Sequence, residues 1–319
     1  MSEKYPEYAN PQMRPRYTGV PTFMRAPYTE DPAGVEIALV GVPFDGGVTN
    51  RTGARHGPRE VRNQSSIIRT HHPVLDVNPF KLCKVADVGD IWPEEPFELN
   101  HAHDEIRAGF ARLHAAGAVP LSVGGDHSIS LPILRALAAD RPVGMIHIDA
   151  HADTGGDYMG SRFHHGSPFR NGVLEGLLDP KRVCQIGIRG SMGDPDLWKF
   201  SYDSGMRVIR MEEFTDMGWR AAIAEAKAVV GDGPVYVSFD VDALDPIYAP
   251  GTGTPEAGGI TMIEAQRMIR ELKGVDLIGA DVVEVSPPFD NGTITSLNAA
   301  NVMYEILCVL ALAVDARRG

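Results

Sequence analysis

An α/β fold built on an eight-stranded, mainly parallel sheet is predicted by two features of this 319-residue chain. Eight apolar, β-branched runs, at 36–44, 82–88, 119–123, 143–148, 183–188, 207–211, 235–241 and 277–285, alternate with helical patterns such as 102–116, 132–139, 219–230 and 261–272. Several of the runs are apolar throughout, as strands covered on both faces are, and strand–helix alternation places helices on those faces. Each helical pattern is opened by Ser, Thr or Asp, or closed by Gly or a Pro-containing turn. Eight such units suit a closed barrel as well as an open sheet, and periodicity does not separate them.

Three of the runs lead into acidic and histidine-bearing stretches: Gly124-Gly125-Asp126-His127, Asp149-Ala150-His151-Ala152-Asp153 and Ser238-Phe239-Asp240-Val241-Asp242. Side chains two apart on an extended segment point the same way, so Asp149, His151 and Asp153 are expected to face one point, as are Asp240 and Asp242. Four carboxylates and two imidazoles, with no thiolate, suit Mn(II), Fe(II), Co(II), Ni(II) or Zn(II). Four neighbouring carboxylates repel one another unless cations neutralise them, and two divalent ions match that charge. One Asp-x-Asp alone is usually a cap or turn; three such stretches in this order read as one two-metal site.

Composition narrows the class. A chain of this length with 43% hydrophobic residues buries a large core, and no linker, charge run or repeat divides it, so residues 1–319 read as one domain. The formal charge of −12 argues against nucleic acid or anionic membranes as partners. Cys83, Cys184 and Cys308, odd in number and each in an apolar run, read as buried free thiols of a cytoplasmic protein. The start of the chain carries no signal pattern, and its longest apolar stretch, 306–314, is too short to span a bilayer. The polar, proline-rich arm at 1–28 carries aromatic residues suited to docking on a neighbouring subunit.

Taken with Glu284-Val285-Ser286-Pro287-Pro288, Gly41-Val42-Pro43-Phe44-Asp45-Gly46-Gly47, Gly53-Ala54-Arg55-His56-Gly57-Pro58 and Thr293-Ile294-Thr295-Ser296, the three stretches resemble the ureohydrolase (arginase and agmatinase) family over most of the chain. The resemblance implies the open, three-layer αβα sandwich, with ligands gathered at the carboxyl ends of the strands. It implies one metal on His127, Asp149, Asp153 and Asp240 and a second on Asp149, His151, Asp240 and Asp242. Two Mn(II) are the usual pair, with Ni(II) or Co(II) as alternatives, and the family forms trimers or hexamers.

The implied reaction is hydrolysis of a linear guanidino compound to urea and an amine. A water shared by two cations ionises near neutral pH and attacks the guanidinium carbon. Glu284 is placed to orient the guanidinium through a bidentate pair. Asp153 would deliver a proton to the leaving amine and His165, in Phe163-His164-His165-Gly166, would shuttle protons to solvent. The other histidines, His56, His71, His72, His101, His103 and His147 among them, read as surface, capping or supporting groups. The segment from Tyr158 through Arg162 to His164 resembles hydrolases of guanidino acids, such as guanidinobutyrase, guanidinopropionase and proclavaminate amidinohydrolase. Arg162, Arg25 or Arg189 is expected to meet a carboxylate tail. Agmatine, with an amine tail, and guanidine or a biguanide, with none, are the alternative substrates. Two further classes share related folds: single-zinc deacetylases, against which the second histidine and the Asp240/Asp242 pair argue, and non-catalytic metal-binding subunits of mixed assemblies, which usually lack a ligand or the equivalent of Glu284.

Overall fold

The computed structural model describes residues 10–194 and 196–318. Eight strands, β1 (Ile37–Val42), β2 (Val85–Asp90), β3 (Val119–Gly124), β4 (Val143–Ile148), β5 (Leu178–Ile188), β6 (Arg207–Arg210), β7 (Val235–Asp240) and β8 (Leu277–Val283), form one sheet in the order β2-β1-β3-β8-β7-β4-β5-β6. Every neighbouring pair is parallel, so the sheet is open and wholly parallel. The helices are α1 (Gly57–Ser65), α2 (Pro79–Leu82), α3 (Leu99–Ala115), α4 (Ser130–Leu137), α5 (Pro168–Leu174), α6 (Lys199–Ser204), α7 (Met211–Val230), α8 (Met262–Glu271) and α9 (Ile294–Ala316).

Strand side chains alternate between two cores. Along β1, Ile37 and Leu39 join residues of α1, α7, α8 and α9, while Ala38, Val40 and Val42 join residues of α3, α4 and α5. That alternation is the pleat of the strand expressed as packing, and it makes the fold a three-layer sandwich. From β4 the chain runs outward to β5 and β6, whereas its neighbour β7 leads the other way to β8, so the direction of progress across the sheet reverses at the β4/β7 boundary. Ligands gather at such a switch, outside the carboxyl ends of the strands.

The predicted element ends shift for local reasons. The helix expected from residue 219 begins at Met211 and is interrupted at Gly218, whose φ of 78° and ψ of 155° are not helical. Thr261 caps α8 rather than starting it: its hydroxyl accepts from the Glu264 N–H while the Glu264 carboxylate accepts from the Thr261 N–H. Helix α9 is absent from the sequence reading because it has no polar face to give it a period; its buried residues run all round, from Thr295 to Val314. It also corrects the view that no segment is long enough to span a bilayer: its 23 residues suffice by length and its most apolar window has a mean hydropathy of 1.8, but 78% of that window is buried within the protein. It is a core helix, packed on α1, α8 and β8.

Candidate metal centre and active site

Four adjacent strands supply every expected ligand. β3 leads to His127, β8 to Glu284, β7 ends on Asp240 and β4 leads to Asp149, so the ligands stand side by side along one sheet edge. The sequence reading placed Asp149, His151 and Asp153, and Asp240 and Asp242, on extended chain; the structure brings them together by turns instead. After β4 the chain leaves the sheet, the His151 N–H donates to Asp149 Oδ1 at 2.6 Å, and Asp153 takes a left-handed φ of 51°. After β7, residues Val241–Ala243 form a 3₁₀ turn capped by Asp240, whose Oδ1 accepts the Asp242 N–H at 2.8 Å. Asp153 and Glu284 (φ 64°) are non-glycine residues held in a sparsely populated backbone region, a strain that persists only where the surroundings fix it.

The donor atoms converge. His127 Nδ1 lies 2.9 Å from Asp153 Oδ2, 3.2 Å from Asp149 Oδ2 and 3.3 Å from Asp240 Oδ2. His151 Nδ1 lies 3.1 Å from Asp242 Oδ2 and 3.5 Å from Asp149 Oδ1. Asp149 is thus common to both groups. Fully buried, His127 Nδ1 has no hydrogen-bond partner. Its other nitrogen faces Ser238 Oγ at 2.7 Å, and the Ser238 hydroxyl donates to Asp281 Oδ1 at 2.7 Å. Ser238 can therefore only accept from His127 Nε2–H, which in the neutral ring leaves a bare lone pair on Nδ1 aimed at three carboxylates. An orphaned buried lone pair beside carboxylate oxygens is what a divalent cation satisfies, so the residues present fit the metal. The cluster is a binuclear-type His/Asp site.

Electrostatics carries the same message. Burial, reinforced by Asp242 and Asp149, pushes the Asp240 carboxyl well above its ordinary range. Burial and Asp149 outweigh His151 to raise Asp242 to about 6. For Asp149, burial is overcome by His147, His127 and His151, which hold it well below. The set cannot be fully ionised without added positive charge.

Glu284 stands beside this cluster, buried, with Oε1 accepting the His127 N–H at 2.9 Å and facing His165 Nδ1 at 2.9 Å. Its Oε2 is buried without a partner. The expected bidentate clamp is therefore reduced to one free oxygen in this conformation. Burial lowers the proton affinity of His165, but Glu284, with Asp126 and Asp153 behind it, prevails and lifts its pKa to about 9. Its Nε2 lies 2.7 Å from Thr49 Oγ1 and 3.2 Å from the Thr49 N. The Thr49 N–H donates to Nε2, which therefore presents a lone pair here while Nδ1–H faces Glu284; the rotatable Thr49 hydroxyl can donate to that neutral ring or accept from a charged one. His164 turns away, its Nε2 on the Gly156 carbonyl at 2.9 Å and its Nδ1 accepting from the Gly166 N–H.

A cleft of about 240 Å³ opens above the cluster, with Asp153, Asp240, His151 and His165 at its floor and Tyr158, His164, Leu197 and Trp198 among its lining. No arginine or lysine lines it among the described residues. Arg162 is outside: it donates to Asn171 Oδ1 at 2.9 Å, reaches Glu175 and lies over the Phe163 ring. Arg25 ties the arm to the Gln12 and Ile68 carbonyls, and Arg189 donates to the Asp242, Glu256 and Ala243 carbonyls. Both hold backbone in place.

Sequence reasoning passed over several contributors. Asp281, fully buried, also accepts from Tyr236 and Ser130; a charged residue inside an otherwise apolar strand was its signal. His147, read only as a supporting group, bonds Asp149 Oδ2 directly at 2.7 Å. Thr49 had no signal beyond its glycine-rich surroundings. Asp126, between Gly47 N–H and Ser128 N–H, pins the β1 loop against the centre. Gly125 permits that approach, because a Cβ there would sit 1.9 Å from the Phe44 carbonyl.

Known proteins share this architecture. The arginase family model matches residues 35–309. A guanidinopropionase of Pseudomonas aeruginosa is 55% identical over 98% of both chains, and a mitochondrial agmatinase of Gallus gallus is 45% identical over 92% of this chain and 87% of its own. The solved proclavaminate amidino hydrolase from Streptomyces clavuligerus superposes with a TM-score of 0.91 at 40% identity, covering 94% of this chain and all of that one. The chain belongs to the arginase family and is a hydrolase of that family.

Proposed function

We propose that this enzyme hydrolyses a short guanidino acid, of the 3-guanidinopropanoate or 4-guanidinobutanoate type, to urea and the corresponding amino acid. The observation that carries the reading is a contrast: a buried, unpartnered carboxylate oxygen of Glu284 beneath the cleft, behind His165, and a cleft entrance without a carboxylate. The first suits a guanidinium. The second suits an acid tail rather than an ammonium, because Tyr158, Ser191 and Trp198 bring groups able to donate, and only the metal-ligating Asp153 and Asp240 line the cleft as acids. Similarity to the guanidinopropionase over nearly the whole length supports the same class.

In this reading His127, Asp149, Asp153 and Asp240 would hold one divalent ion and Asp149, His151, Asp240 and Asp242 the other, with Mn(II) as the first choice for so hard a donor set. When bound, the ions supply Lewis acidity and an ionised water at neutral pH. Glu284 Oε2 takes a guanidinium N–H and fixes the carbon over the floor. Asp153 passes a proton to the leaving nitrogen, while His165, held between Glu284 and Thr49, exchanges protons with the solvent-facing side. Tyr158 and His164 would line the path of the tail. Retention of all six ligands and Glu284 favours a catalytic chain over a non-catalytic subunit.

We further read the protein as one cytoplasmic unit assembling as a homohexamer or homotrimer through the arm at 1–28, of which residues 1–9 lie outside the described ones. A urea-release assay over 3-guanidinopropanoate, 4-guanidinobutanoate, agmatine, arginine, guanidine and a biguanide tests the substrate. Guanidino acids should lead, with agmatine next. Exclusive cleavage of agmatine, or of a tail-less compound, would overturn the acid reading.

A further inference from the structure

The His165 ring borders the cleft, yet each of its nitrogens already has a protein partner. Nδ1 faces Glu284 Oε1 at 2.9 Å, and Nε2 faces Thr49 Oγ1 at 2.7 Å and the Thr49 N at 3.2 Å. A proton carried by this ring therefore leaves through one of the two partners. Glu284 leads inward: it is buried, and its Oε1 also accepts the His127 N–H at 2.9 Å. Thr49 leads outward: it is exposed and lines the cleft. Its loop is fixed from both sides. The Gly47 carbonyl accepts the His165 N–H at 2.9 Å, Asp126 Oδ2 accepts the Gly47 N–H at 2.7 Å, and the Asn50 side chain donates to the Gly253 carbonyl at 3.1 Å. The loop that carries Thr49 is thereby tied to the segment that carries His165.

We propose that the Thr49 hydroxyl is the relay by which His165 exchanges protons with water in the cleft, an inference that rests on the reading of His165 as the proton shuttle. A hydroxyl suits the task because it donates and accepts at once and turns about a single bond. In the outward step the charged ring gives its Nε2 proton to a lone pair of Thr49 Oγ1 while the hydroxyl's own proton passes to a water. One proton has left, and Thr49 has its hydroxyl again. The ring keeps Nδ1–H on Glu284, and its bare Nε2 accepts the Thr49 N–H. The inward step is the reverse. Burial disfavours the charged ring, but Glu284 prevails and lifts its pKa to about 9. The Thr49 N–H works the other way, being a donor that only the neutral ring accepts. A shuttle must release its proton as well as take it, and Thr49 is the partner that favours release. It is a positioning residue, acting through His165.

The test is a kinetic comparison of metal-loaded wild type, Thr49→Val, Thr49→Ser, His165→Asn and Thr49→Val/His165→Asn, on whichever compound of the urea-release panel is cleaved fastest. Valine keeps the branched shape and the backbone N–H but has no hydroxyl; serine keeps the hydroxyl. Thr49→Val should lower kcat by about 10-fold with KM within about 2-fold of the wild type, because a proton path serves turnover and not binding. Thr49→Ser should recover most of that loss. The double variant should be no slower than His165→Asn alone, since a relay has nothing to carry once the ring is gone. Metal content and Tm of Thr49→Val should match the wild type. A wild-type rate in Thr49→Val, a Thr49→Ser as slow as Thr49→Val, a double variant slower than His165→Asn by the full Thr49→Val factor, or loss of metal in Thr49→Val would each overturn the relay while leaving the shuttle standing. A wild-type rate in His165→Asn would overturn both the relay and the shuttle on which it rests.

Discussion

The floor and the rim of the cleft are built differently. At the floor, Asp149, Asp153, Asp240, Asp242, His127 and Glu284 are nearly or wholly buried, and most make hydrogen bonds to backbone N–H groups or to one another. At the rim, Tyr158 and Met159 are exposed on a two-residue turn, Tyr158–Ser161, whose Met159 and Gly160 both have positive φ. One is fixed by strand ends and by the layer of Ser238, Asp281 and His147 beneath; the other hangs on a hairpin tip. Chemistry that must be placed to a fraction of an ångström sits on the rigid part, and what distinguishes one substrate tail from another sits on the adaptable part.

The largest effects should come from the floor. Asp240→Asn removes a carboxylate facing both His127 and Asp242, and should lower urea release by about 10³-fold or more, the several kcal/mol that the ions contribute. Metal content measured on the same sample should fall with it; full metal content with lost activity would break the link drawn between that carboxylate and the ions. His165→Asn should lower turnover by about 10²-fold or more while metal content stays whole, with partial restoration by added imidazole. Glu284→Gln should act mainly on productive substrate binding. Should His164→Asn prove more damaging than His165→Asn, the contacts to Glu284 and Thr49 would not be the ones that matter.

The rim should respond weakly and selectively. Tyr158→Ala is expected to raise KM for a guanidino acid several-fold with kcat little changed, because it touches only the path of the tail. Arg162→Ala should change the substrate ranking not at all, since that side chain is paired with Asn171 and Glu175 outside the cleft. A shift in ranking would bring Arg162 into the pocket and blur the division between floor and rim.

How much of this was legible follows the same division. The floor ligands were readable because apolar strand runs announce their own ends, and a metal demands particular residue types. The means of their convergence was not: nothing local says that Asp153 takes a positive φ or that β7 yields to a 3₁₀ turn at Asp240. At the rim the contacts of Arg162 with Asn171 and Glu175 were not legible, because an arginine in a suggestive segment says nothing of which way it turns. Helix α9 was lost to its own uniform burial. Asp281 was visible as a lone charge in a buried strand and was passed over.

A smaller effect concerns stability beneath the floor. Burial, aided by Arg135, pulls the His103 pKa down to about 3, so the neutral ring is the folded form. The unfolded chain, with an ordinary value near 6.5, takes up the proton first. The contribution of His103 is therefore complete above about pH 6.5 and is lost as pH falls toward about 3, by at most about 1.4 kcal/mol per pH unit. Denaturant unfolding of metal-free protein between pH 7 and 5 should show a shallower loss in His103→Gln than in the wild type. Parallel slopes would mean that the ring is wetter than its packing against Phe44 and Phe163 indicates.

The central claim, that the four central strand ends form one two-metal floor, is tested most directly by crystals of protein loaded with Mn(II) and measured at the manganese absorption edge. Two anomalous peaks per chain are predicted, both within coordination distance of Asp149 and Asp240, one also on His127 and Asp153 and the other on His151 and Asp242. A single peak per chain under saturating Mn(II), or a second ion held away from His151 and Asp242, would contradict the account.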